Sequence, residues 1–347
     1  MSPHYEPGKT TPQRELGSQS PPSLDTLGEE DIPESRDRRR LETRLMHQYL
    51  TVTGPLIGVD DRSRPAFAAL VPRYSLESDA VLYSMYSLAA LHSFIGNVDL
   101  SFDAMYVHRK YLAMGVREQK KAVADFNLQT LEMICLTSHL LRICSFATLQ
   151  IRRREPYRPP MEWLMINGTT AALYDKASPM VMEDPQSLTA QMMRLSPVIY
   201  DDEERFGAAY RVGWEQLLER DVDDLISEPW DPEIQEAYES TVSFIGGASA
   251  AMKSFDSQFG LGEARRRLIL FPVFIKKRFA DLVQEMQPRA LVVLAHYFAF
   301  LTIAEDLWWV GSTGREELQA IAGQLSGKWL DMIEFPLQMI EGEPTYH

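Results

Sequence analysis

The stretch PRALVVLAHYFAFLTIAEDLWW, residues 288–309, constrains the fold more than any other part of the chain. From Ala290 to Ala304 no side chain carries a fixed charge, and Arg289, Glu305 and Asp306 bound the run. It reaches about three-quarters of the ~20 apolar residues that a membrane-crossing helix requires. No other stretch is long and apolar enough to span, so no membrane span is expected. The run reads instead as the central helix of a large core. It raises a question about His296, which sits in its middle and ahead of Trp308 and Trp309. Such a histidine is either a buried imidazole with a fixed partner or the polar group of a ligand site.

The remaining pattern is helical. In SDAVLYSMYSLAALHSFIG, Val81, Met85, Leu88, His92 and Ile95 share one stripe at the 3.6-residue period. Ser78 can cap the start of that helix, and Gly96 stands where its C-terminus should fall. Further helices are predicted in SFDAMYVHRKYLAMGVREQKKAVAD, LQTLEMICLTSHLLRICSFATLQI, MEWLMINGTTAALYDKA and EIQEAYESTVSFIGGASAAMKSF. Residues 175–212, with scattered proline and acidic residues, read as a looser connection. Sustained alternation of strand type is absent. The expectation is an all-α fold, one large irregular helical domain over residues 36–347. Residues 1–35, rich in Pro, Ser, Gly and charge, cannot bury enough apolar surface to offset their ordering entropy and read as a disordered tail. That N-terminus has no apolar signal segment, so a nuclear or cytoplasmic location is expected.

Charge limits the partners. The chain has 35 Lys and Arg against 49 Asp and Glu, a net charge of −14. A body that acidic repels nucleic acid, so direct DNA contact would need a separate basic element. Arg36, Arg38, Arg39, Arg40 and Arg44 form a basic cluster that reads as an anion-binding or localisation patch, or as the solvated first turn of a helix. Asp37 and Glu42 interrupt it and favour the second reading. Cys135 and Cys144, the two cysteines of the chain, sit in a helical run and fit neither a disulfide framework nor a zinc site.

No metal or cofactor is expected. YDDEER and DDLISEPWD invite comparison with the paired magnesium motifs of terpene cyclases, which need hard oxygen ligands on facing helices. However, Pro229 and Trp230 fall where the second helix would have to continue. The seven histidines show no metal-ligand spacing, and no phosphate-binding or nucleophile-elbow motif occurs.

Several segments together resemble the regulatory region of fungal binuclear zinc-cluster transcription factors, in the group of the sterol-uptake regulator. RRRLETRLMHQYLTVT, VPRYSLESDAVLYSMYSLAALHSFIG and YLAMGVREQKKAVADF resemble its opening helices. LFPVFIKKRFADLVQEMQPRALVVLAHYFAFLTIAEDLWWVG and KWLDMIEFP resemble its closing block, and the likeness runs from about residue 38 to 340. The family's six-cysteine DNA-binding cluster has no counterpart before Cys135. The resemblance implies an all-helical regulatory domain and, as in sterol-responsive members, a cavity for a hydrophobic ligand.

Two functions are therefore expected. The first is a transcriptional regulator, or regulatory subunit, of fungal specialised metabolism. It would sense an apolar small molecule (sterol-, terpenoid- or polyketide-like) and act through a DNA-binding protein partner. Tyr86, His92, His296, Tyr297, Phe300, Trp308 and Trp309 are the candidate ligand-binding residues. The second is a biosynthetic enzyme built on the same cavity, a terpenoid or polyketide cyclase or pericyclase. Such a reaction needs mainly shape and orientation, with His296 or Asp306 as proton-handling candidates.

Overall fold

A computed structural model describes residues 34–97, 102–127, 130–165, 173, 175–180, 182, 187–253 and 257–341; for Leu188 and residues 257–259 only the backbone is described. The expected N-terminal tail lies outside this set, apart from Glu34 and Ser35. Among the described residues there are helices and turns and no strand, as the periodicity predicts.

The N-terminal half is built on four helices: α1 (Arg36–Gln48), α2 (Asp79–Ile95), α3 (Ala104–Ala124) and α4 (Leu131–Leu149). Helix α2 starts and stops where its sequence signals stand. The Ser78 side chain accepts from the Val81 amide, and the Gly96 N–H bonds back to the His92 carbonyl. Between those caps nearly every residue of α2 is buried, as a helix with apolar groups on all faces must be. Its closest neighbour is α3. A Cβ at Gly115 of α3 would stand 2.8 Å from Ser84 Oγ, so the absence of a side chain there is what lets the two backbones approach.

The Arg36–Arg44 cluster lies on α1. Ser35 caps that helix, Arg38 pairs with Glu42 at 2.9 Å, and Arg39 reaches Glu34. Glu42, one of the two interrupting acids, and Glu34 thus take up part of the cluster's charge.

After α4 the chain turns through Pro159 and Pro160 into one helical turn, Met161–Leu164. This is shorter than the helix predicted across MEWLMINGTTAALYDKA; the following residues 166–172 lie outside the described set. Trp163 anchors the turn, buried edge-on against Phe146. The looser connection contains α5 (Leu188–Arg194) and short turns.

The two acidic motifs end up in helix caps. Asp201 caps Asp202–Phe206. Asp221 and Asp224 form a reciprocal capping box on α6 (Val222–Ser227), and Asp231 caps α7 (Pro232–Met252). Pro229 separates the last two helices, as its missing N–H requires.

The C-terminal half contains α7, α8 (Ser257–Phe274), α9 (Lys277–Gln284), α10 (Pro288–Leu301), α11 (Thr313–Ala322) and α12 (Glu334–Glu341). Helix α10 is the predicted central helix. Every residue from Arg289 to Leu301 is buried, with α7, α8, α9, α11 and α12 packed around it. At ~1.5 Å per residue it is about 21 Å long, and no single helix among the described residues is long and apolar enough to cross a membrane. Its flank carries a buried ion network. Arg289 reaches Asp224 at 3.0 Å and Glu228 at 2.7 Å, and Lys328 also binds Asp224.

Candidate functional site

The two halves meet around a small cavity of about 70 Å³. Five stretches remote in sequence enclose it: residues 57–67, α4, α5 with the turn after it, α8, and Trp309. Phe67, Leu136, Met193, Leu270 and Trp309 give it apolar walls. Trp309 is held in place by its indole N–H, which donates to the Ile57 carbonyl at 3.1 Å, and by edge-on contact with Phe146.

One wall is polar. His139 and Arg142 stand three residues apart on α4, on the face turned to the cavity. The Arg142 guanidinium donates to His139 Nδ1 at 2.7 Å. That bond makes Nδ1 the acceptor and assigns the ring proton to Nε2. Burial, with the adjacent guanidinium, holds the imidazole well below its ordinary pKa, so it stays neutral. With Nδ1 engaged by Arg142, Nε2 is the ring nitrogen of this cavity-lining residue that is left to donate. Cys135 also lines it, but burial pushes its thiol up to about 12, which leaves no thiolate for chemistry at neutral pH.

Among the candidate ligand-binding residues read from the sequence, Trp309 is the one that lines this cavity. Trp308, beside it, turns the other way and stacks on His92. His92 also shares a hydrogen bond with the Thr53 hydroxyl at 3.0 Å, and burial lowers its pKa to about 4. Tyr86 packs edge-on against Tyr111, 5.3 Å between centroids, and burial beside Glu42 raises its phenol to about 12. Tyr297 donates to the Leu268 carbonyl and stacks on Phe271 at 4.0 Å. Phe300 meets Trp214 edge-on.

His296 is fully enclosed. Its Nε2 donates to the Met332 carbonyl at 3.1 Å, Trp214 stands edge-on to its ring, and burial lowers its pKa to about 4. The other nitrogen, Nδ1, is a buried acceptor with no donor among the described residues. Asp306 has a contrasting environment. It is 63% exposed and pairs with Arg265 at 2.5 Å.

His139 and Arg142 carried a legible signal, two titratable residues at i and i+3 inside a helix that is apolar on most faces. Met192, Met193 and Phe67 carried none, because their side of the cavity is assembled from segments far apart in the chain.

A second, larger concavity of about 1530 Å³ lies along the outer side of α3 and α4, closed at one end by residues 151–165. Groups of three or more potential metal-ligating side chains are absent among the described residues.

No family model matches the chain. It is 27% identical over 274 residues to the Zn(2)-C6 fungal-type transcription factor afumD of Aspergillus fumigatus, an alignment that covers 77% of this chain and 69% of that protein. It is 23% identical over 332 residues to a Zn(2)-C6 fungal-type transcription factor of Gibberella zeae, across 87% of this chain and 62% of the relative. The chain thus spans roughly two thirds of the length of these relatives.

Proposed function

For a chain related over most of its length to Zn(2)-C6 fungal-type transcription factors, we propose a regulator of transcription that senses a small apolar molecule and reaches DNA through a partner. The observation that carries the regulatory reading is the similarity to two transcription factors across 77% and 87% of the chain. The acidic balance of the sequence, a net charge of −14, favours a partner for the DNA contacts. Fungal specialised metabolism and a nuclear location are the setting this reading implies.

The sensing site is the cavity beside Trp309. Its position supports the reading, because a guest there would touch both halves and bias how they pack. Its size limits the guest. A cavity of about 70 Å³ is about half the ~150 Å³ void that takes up benzene. A terpenoid- or polyketide-sized ligand therefore requires α5 to move outward, and Met192 and Met193 on that helix form the adaptable wall. The preferred ligand is apolar with one acceptor oxygen, placed to take the His139 Nε2–H. His92, His296, Tyr297 and Phe300 then hold the surrounding helices in register.

Deletion of the gene, with neighbouring transcripts and metabolites read from the same cultures, tests the function. Loss of the neighbours' transcripts is expected. Unchanged transcripts with one missing product and an accumulating precursor would overturn the regulatory reading.

A further inference from the structure

We propose that the groove along α3 and α4 receives an amphipathic helix with an acidic polar face, supplied by a partner protein. Its shape suits a helix. The apolar floor follows one stripe of α3, with Met105, Leu112, Val116 and Val123 at helical spacing, and Leu141 of α4 beside it. From residue 105 to 123 that stripe runs about 27 Å, the length of a five-turn helix. At about 1530 Å³ the space exceeds the ~300–1,000 Å³ usual for small-molecule pockets.

The floor is also open to solvent. Val123, Ile151 and Met165, all in its lining, are each about 40% exposed, so large apolar side chains are left uncovered here. Met105, Met161 and Met165 line it with adaptable side chains of the kind that accept helical ligands of varied sequence.

Charge selects the occupant. Arg109, Lys120, Arg153 and Arg158 stand at the rim, exposed and without a carboxylate partner among the described residues. Glu162 is the one acidic residue in the described lining. A basic rim on a chain of net charge −14 is a local reversal of sign, and it steers an acidic segment to this face. Nucleic acid satisfies the rim but not the floor, since a phosphate backbone has no apolar face to bury there. The inference does not depend on the ligand-sensing reading, and its test involves no transcription.

The test is a fluorescence-anisotropy titration of the full chain with a fluorescein-labelled synthetic helix of about five turns. Leucine occupies its i, i+3, i+4 and i+7 positions and glutamate fills the rest; the control peptide has lysine in place of glutamate. The glutamate peptide is expected to bind saturably, more weakly as salt rises, and at least tenfold more weakly to Arg109→Glu/Lys120→Glu. Val123→Glu, an independent change in the exposed floor, is expected to weaken it as well, with circular dichroism showing both variants folded. Equal binding of the lysine peptide, or unchanged affinity in both folded variants, would overturn the proposal. So would a groove that ignores the peptide but binds duplex DNA, or palmitate below its micelle concentration, in an Arg109-dependent way.

Discussion

The imidazole of His92 lies flat on the indole of Trp308, with ring centroids 3.9 Å apart and planes 13° from parallel. One ring comes from α2 and the other from the segment after α10, so the stack ties the N-terminal helices to the C-terminal core. Gln150 reinforces the join by donating to the Trp308 carbonyl at 2.9 Å.

The stack should appear as a coupling energy. His92→Ala is expected to cost about 2 kcal/mol, the sum of an aromatic contact and the Thr53 hydrogen bond. In a double-mutant cycle with Trp308→Ala, read from urea unfolding, the coupling should be about 1 kcal/mol. Strictly additive losses would mean that the two rings are neighbours without interaction.

Trp309 is the largest apolar wall of the inner cavity, and Trp309→Ala should destabilise by roughly 3–5 kcal/mol. The void left behind has the shape of the missing indole and joins the existing space. Added indole is therefore expected to raise the melting temperature of the variant and leave the unmodified chain where it was. Failure of indole to rescue would show that the neighbouring helices collapse into the gap.

Arg289 and Asp306 separate a buried ion pair from a surface one. Arg289→Ala removes the guanidinium from Asp224 and Glu228, both shielded from solvent, and should cost about 3–5 kcal/mol. Asp306→Ala breaks a pair whose carboxylate is largely hydrated, and should cost less than about 1 kcal/mol. Comparable losses in the two melting curves would contradict this assignment.

Acid should unfold the chain through its buried histidines. His92, His108 and His296 are all held near 4 by burial, below the unfolded value of 6.5. Between those values the unfolded chain binds protons that the folded chain does not, so stability rises with pH and falls on acidification. Each histidine contributes up to about 1.4 kcal/mol per pH unit in that window. His296→Gln, which keeps a donor for the Met332 carbonyl, should flatten the dependence by about one histidine's share. A pH profile with unchanged slope would mean that His296 is protonated in the folded state.

Local signals were legible wherever the physics is local. Ser78 and Gly96 delimit α2 because a cap needs one side-chain oxygen or one permissive residue at a fixed offset. Asp221 caps the start of α6, and Asp231, two residues past Pro229, caps the helix that begins where the previous one could not continue. The uncharged run of α10 required burial and was too short for a bilayer, so it could only be the centre of a core.

The positions of the aromatic side chains were a different matter. Trp308 and Trp309 are adjacent in sequence, and their neighbourhood follows an irregular turn after α10, so one faces His92 and the other the cavity. No periodicity distinguishes them. His139 could be recognised as a polar residue in an apolar helix, but its role depends on Phe67, Met193 and Trp309, which reach it from three distant segments. The sequence alone determined the all-helical class, the caps and the central helix, because these follow from spacing along one chain. The cavity and the groove were decided by tertiary packing, because an enclosed space is a property of surfaces meeting, and no single segment contains it.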